Sequence, residues 1–253
     1  MTTGAHLSIS FSGEELLVLA ADLGHDPART GARLPELWTR RERDLALEVA
    51  RRSLRSRRII QAGAEGLEVA YAVAVLMDVL CAPAARLHVY QGDSEVPVRY
   101  LIQPDAAVRA ELSEGLYRLT PLATVDLLGW VGADTGLTGQ QASGRDPVEL
   151  EVEDYLRARK GDASAAVPPE LLASLQRTHA VSVRRHSGQV LVGGEVAWAD
   201  GADSGLWTIP TFDQPLAGPA SDLVPEGLVR LTPASAEGIL QSIADFLSDE
   251  IAA

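Results

Sequence analysis

Five histidines, one cysteine, a run of carboxylates and a dense arginine stretch are the residues of this 253-residue chain that could do chemistry. His6, His25, His88, His179 and His186 are scattered, and none stands in an HExxH, HxH or Cys-His arrangement. Their spacing gives a metal ion no ligand set. Cys81 ends an apolar segment with no histidine near it, no serine sits in a GxSxG, and no GxxxxGK loop is present. Nucleophilic catalysis and phosphate-loop nucleotide binding therefore lack a motif, and no catalytic residue, cofactor or metal is expected.

The carboxylates Glu149, Glu151, Glu153 and Asp154 fall in ELEVEDY, inside the segment DPVELEVEDYLRAR that reads as one helix. Glu149 and Glu153, four apart, then decorate a solvated helix face. Arg40, Arg41, Arg43, Arg51, Arg52, Arg55, Arg57 and Arg58 form a stripe that could hold phosphates. Yet Glu42, Asp44 and Glu48 are interleaved with them, and the chain carries a net charge of −13, so pairing within the molecule is the favoured use and no nucleic-acid partner is expected. Of the tryptophans, Trp198 and Trp207 fall on neighbouring strands of a hairpin, AWADGADSGLW, where aromatic pairs stabilise a sheet or anchor a partner.

The elements that must position these residues follow from period and punctuation. HLSISFS alternates as a strand, and Ser12 can cap the helix SGEELLVLAADLG. A second helix is expected from Trp38 to Ser56, and a third in LEVAYAVAVLMDVLC, stopped by Pro83. RLHVY and VPVRYLIQ make a hairpin, followed by AAVRAEL and LYRL. The second half offers a helix in VPPELLASLQRTH, then strands in HAVSVRR, QVLVGGEVAWADG and GLWTIPTF, and a last helix in PASAEGILQSIADFLSDEI. The longest apolar run is too short to span a membrane, the first residues resemble no secretory signal, and a reducing, cytoplasmic setting is expected. Arginine-for-lysine usage and abundant alanine suggest a high-GC, actinobacterial genome.

One phrase occurs twice: GLYRLTP at 115–121 and GLVRLTP at 227–233. Each copy reads as a short strand with two core-facing leucines and an outward arginine, then Thr as cap and Pro as first residue of a helix. The expected architecture is α+β, with antiparallel sheets, flanking helices and a pseudo-two-fold duplicated unit. Its halves are 1–134 and 147–253, joined by a linker at 135–146.

The opening HLSISFSGEELLVLAADLG, the helix ending ALEVARRSLRSRRII, the helix LEVAYAVAVLMDVLCAPA feeding RLHVYQG, and the doubled strand-to-helix unit together resemble the EspG family, cytosolic chaperones of ESX (type VII) secretion in actinobacteria. The resemblance implies a pseudo-symmetric α+β fold without enzymatic activity that binds the apolar helical tip of a PE/PPE-type secretion substrate. It carries no fixed binding motif. The surfaces it points to, sheet and C-terminal helix, offer Trp198, Leu206, Trp207, Leu240, Ile243 and Phe246 as partner-contacting residues. Homodimerisation is left open. A competing reading is an enzyme or small-ligand domain whose site gathers His88, His186 and the ELEVED acids between the halves. A third is a nucleic-acid binder using Arg51, Arg52 and Arg55.

Overall fold

A computed structural model of the chain describes residues 8–63, 66–90, 97–137, 145–175, 178–187, 190–201, 205–209 and 227–252. His6, most of the expected linker (138–144), the loop preceding GLVRLTP and the side chains of His186 and Phe246 lie outside the described residues. The chain forms two compact units. One comprises Met1–Arg86 with Val98–Leu127, the other Leu87–Pro97 with Leu128–Ala253.

The first unit opens on β1 (Ile9–Ser12), which runs without a break into α1 (Gly13–Asp22). A reciprocal capping box fixes that junction, the Ser12 hydroxyl accepting from the Glu15 N–H at 3.2 Å and Glu15 accepting from the Ser12 N–H at 3.0 Å. A 3-10 turn (Pro27–Thr30) leads to α2 (Arg40–Ser56), capped in the same way by Thr39 and Glu42. The segment read as a loop and the start of a long helix is instead a hairpin of β2 (Ile60–Gly63) and β3 (Gly66–Val69), and α3 begins later, at Tyr71–Cys81. Here Gln61 pairs Glu68 and Ile60 pairs Val69, a two-residue alternation that the helical period does not satisfy.

After α3 come β4 (Ala85–Tyr90), which crosses the division between units, then β5 (Val98–Ile102), β6 (Ala107–Ser113) and β7 (Leu116–Leu122). In the first unit the strands run in the order β1-β7-β6-β5, all antiparallel. The turn between β6 and β7 is Glu114-Gly115, both at positive φ, as a two-residue hairpin loop requires. The core buries Phe11, Leu16, Leu19, Leu54, Met77, Leu101 and Leu119 between this sheet and α1, α2 and α3.

Helix α4 (Leu127–Thr135) follows a 3-10 turn at Thr124–Asp126. The second unit then repeats the strand-into-helix opening: β8 (Val148–Glu151) runs directly into α5 (Val152–Arg159). The sequence reading of one helix over 146–159 is corrected, because V-E-L-E alternates and Leu150 turns inward while Glu149 lies opposite Arg230. There follow α6 (Pro169–Leu175), β9 (Thr178–Ser187), β10 (Val190–Gly201), β11 (Gly205–Ile209), β12 (Leu228–Ala234) and α7 (Ala236–Ala252). Strand order is β9-β10-β11-β12-β8, again antiparallel. A ten-stranded antiparallel sheet, the small β2-β3 sheet and the helices make the protein α+β.

The doubled phrase occupies the same place in each unit. Leu116–Leu119 pair with β1, and Leu228–Leu231 pair with β8, in identical register. Thr and Pro do not start a helix. Both remain in the strand, Pro121 opposite Val108 and Pro233 opposite Trp207, past Leu119 and Leu231, the last residues of each phrase paired with β1 and β8. At Pro233, where the strand is paired with β11 alone, a residue lacking an N–H costs the ladder nothing. The helix that follows the second copy is capped by Ser235, whose hydroxyl accepts from the Gly238 N–H at 3.0 Å. Of the two leucines, the later one is in the core (Leu119, Leu231), whereas Leu116 and Leu228 are exposed; the arginines face outward as expected.

Candidate functional site

The residues singled out in the sequence go to structural duty. His25 holds Asp78 at 2.9 Å between the first 3-10 turn region and α3. Cys81 is buried, and loss of solvent followed by the Asp78 charge pushes its thiol up to about 11, so it stays protonated and unreactive at neutral pH. His179 stacks on Trp198, ring centroids 5.6 Å apart, and its burial lowers its pKa. Asp154 accepts from the Ala166 N–H at 3.1 Å and lies 3.6 Å from Arg157.

Part of the arginine stretch pairs internally. Arg51 donates to Asp22 at 2.6 Å, Arg52 to Glu48 one turn away, and Arg43 donates to the Trp38 and Glu36 carbonyls, pinning the segment before α2.

The partner-contacting candidates are for the most part interior. Trp198, Leu206, Trp207 and Ile243 are all within 1% of fully buried. Trp198 pairs with Thr208 and Trp207 with Ala199, so the two indoles are one register step out of line and lie on opposite faces of the sheet instead of forming a cross-strand pair. Trp207 packs against α5 and α6, and α7 lies on β9 and β10. Leu240 is half-buried, with its methyl groups against Gly132 of α4. As they stand, the four buried residues present no surface to a partner.

An open surface exists elsewhere, in the first unit. Between β1, α1 and α2 lies a groove of about 760 Å³. One wall is α2, which carries only Ala50 and Leu54 in the core and turns Leu45 and Val49 outward, 61% and 57% exposed. Trp38, Ala46 and the exposed Leu116 complete the apolar lining. The floor is a polar lock. Glu15, 5% exposed, accepts from the Ser53 hydroxyl at 2.7 Å and from Arg57 at 3.0 and 3.1 Å. Arg57 also donates to the Ser10 carbonyl at 2.8 Å and lies over the Phe11 ring at 5.2 Å. One carboxylate thus ties β1, α1 and α2 together, and the groove above it keeps its shape.

What this surface can do is hold an apolar segment. Two of its carboxylates are engaged: Glu15 by Ser53 and Arg57, and Glu42 by Thr39, whose hydrogen bonds hold the Glu42 carboxyl below its ordinary range. Exposed leucine and valine on a fixed helix are what an apolar partner would cover. Sequence reasoning passed over Leu45 and Val49. The available signal was their four-residue spacing on the side of α2 away from Leu47, Ala50 and Leu54.

No protein-family model and no curated relative matches the sequence. Among solved structures, the chain is similar to the Mycobacterium tuberculosis type VII secretion system chaperone EspG5, in its complex with a PE25-PPE41 dimer. The TM-score is 0.60 over 96% of each chain, at 15% identity. The fold is EspG-like. Among the described residues, no helix of this EspG-like chain is long and apolar enough to cross a membrane.

Proposed function

We propose that the protein is a non-enzymatic chaperone or adaptor of type VII secretion, acting in the cytosol to keep an apolar helical segment of a PE/PPE-type substrate soluble before export. The observation that carries this reading is the open apolar groove of the first unit, with Leu45, Val49 and Leu116 on its walls. The EspG-like fold supports the kind of partner, since EspG5 was solved bound to a PE25-PPE41 dimer. An amphipathic helix laid in such a groove buries its apolar face against leucine, valine and tryptophan while its polar face stays in water. The partner-contacting role thereby moves from Trp198, Leu206, Trp207 and Ile243, which hold the sheet, to the α2 face, with Leu240 retained on α7.

Co-expression with PE/PPE-type substrates encoded beside it tests the proposal. A one-to-one complex on gel filtration is expected, lost in the double variant Leu45→Asp, Val49→Asp. Absence of a complex with every such substrate overturns the chaperone reading. A complex indifferent to the double variant removes the groove from it.

A further inference from the structure

The first unit holds a second feature, unrelated to the groove. Arg86 of β4 and Arg99 of β5 lie on neighbouring strands, and the first 3-10 turn brings Arg29 toward them. All three carry like charge in a chain that is acidic overall. The Nε of Arg86 is buried without a hydrogen-bond partner. Arg99 is half-buried, its guanidinium 5.8 Å from the Tyr117 ring centroid and pressed so close to Gly31 that a Cβ there would lie 2.5 Å from Nη1. Gly31 sits at φ +74°, and the Tyr117 hydroxyl donates to its carbonyl at 3.4 Å, so backbone and ring together hold Arg99 in place.

Two carboxylates beside the 3-10 turn and on α3 have partners of their own. Asp78 is bound to His25, and Asp26 accepts from the Ala28 N–H at 3.0 Å. Burial lowers the pKa of Arg86, and the charges of Arg99 and Arg29 lower it further; burial does the same to Arg99. Two guanidinium groups partly out of water, with the like charge of Arg29 acting on Arg86 and no carboxylate among the described residues offsetting it, constitute a standing electrostatic cost. A small multiply charged oxyanion would relieve it, and the planar fork of arginine matches the oxygens of such a group.

We infer that Arg29, Arg86 and Arg99 form a binding site for a phosphate-class oxyanion in the first unit. Two to three converging positive charges fit a dianion better than a single carboxylate. Arg29, exposed at the rim, gives the anion its way in, and Arg86 Nε supplies the buried donor that awaits an acceptor.

The test is thermal unfolding of the whole chain, with inorganic phosphate replacing chloride at constant ionic strength. The wild-type midpoint is expected to rise and saturate, by about 4 °C at ten times the dissociation constant. Because phosphate stabilises proteins generally, the reading is the difference from Arg86→Gln, Arg99→Gln, which should lose the saturable part and unfold no lower than wild type in chloride. Arg41→Gln, remote on α2, should keep it. Should the double variant fail to fold, Arg29→Gln is expected to weaken the half-saturation point at least fivefold. Glycerol phosphate serves as a second probe: a matching shift means that the site accepts a phosphoryl group on a larger molecule, and a shift with phosphate alone means the free ion. A wild-type midpoint equal in both salts, or a saturable shift that survives in the arginine variants, overturns the inference.

Discussion

The two units solve one packing problem with different side chains. In the first, Leu101 of β5 stands opposite Val108 of β6; at the same register step of the second, Ala199 of β10 stands opposite Trp207 of β11. Both pairs are buried beneath helices, and Pro121 and Pro233 lie across from Val108 and Trp207 in turn. Two middle-sized residues in one unit do the work of a small and a large one in the other, so what is held constant is the filled volume. On the opposite face the same step carries Tyr100 in one unit and Trp198 in the other, both fully buried. The largest expected effect breaks this equivalence. Trp207→Ala should cost about 3–5 kcal/mol in urea unfolding, by leaving a cavity that α5 and α6 cannot close. Ala199→Leu alone should cost about 1–3 kcal/mol by overpacking, whereas Ala199→Leu with Trp207→Val transplants the pair of the first unit and should recover most of the loss. Additive losses in the double variant would show that the two pairs are not interchangeable.

A second contrast lies at the strand-to-helix joint. Counting from the paired strands, Glu15 of α1 and Asp154 of α5 occupy the same place, each the third helical residue after its strand. Glu15 is buried under α2 and bound by Ser12, Ser53 and Arg57; Asp154 is nearer solvent, with Arg157 and the Ala166 N–H. Removing Glu15 strands the Ser53 and Arg57 donors in a half-closed site, and Glu15→Ala should cost about 2 kcal/mol. Asp154→Ala should cost about 1 kcal/mol or less, since its partners can turn to water. Comparable losses at the two sites would deny that α2 makes the difference.

The sequence carried this fold unevenly, for physical reasons that individual elements make plain. Ser12 with Glu15, and the helix from the Trp38 region to Ser56, were readable because capping and the 3.6 period are local. The shared place of the two phrases was readable as well. Their Thr-Pro was not, because whether proline begins a helix or edges a strand depends on where pairing with a distant strand stops, here at Ile9 and Val148. β8 hid inside an apparent helix since four residues of V-E-L-E satisfy either period until a partner strand selects one. The register that separates Trp198 from Trp207 is a property of the hairpin as a whole, and it moved the nominated contact residues from surface to core. The groove was the least legible feature, because it arises from α2, an element with no counterpart between α5 and α6.

Acidification should act on the second unit through His179. Its folded-state pKa lies below the ordinary value, chiefly because burial penalises the imidazolium, with Asp200 opposing. The unfolded chain therefore takes up the proton first. Stability is full above about pH 6.5 and declines as the pH falls toward the folded pKa, then levels off. His179→Phe, which keeps a ring on Trp198, should flatten that part of the midpoint-against-pH curve. An unchanged slope would assign the titration to another group.

The smallest effect on folding is also the most telling for function. Leu116 and Leu228 are the first leucines of the two copies of one phrase, both exposed, each the first residue of its copy to pair, with Ser12 and Glu151 in turn. Changing either to Asp removes little buried area, and each unfolding free energy should move by no more than about 0.5 kcal/mol. Only Leu116 borders the groove that α2 closes on its other side. Leu116→Asp should therefore weaken retention of a secretion substrate on gel filtration while Leu228→Asp leaves it intact. If both variants, or neither, lose the partner, the exposed leucine of each phrase serves something the units share, and the insertion of α2 is not what makes the first of them a docking surface.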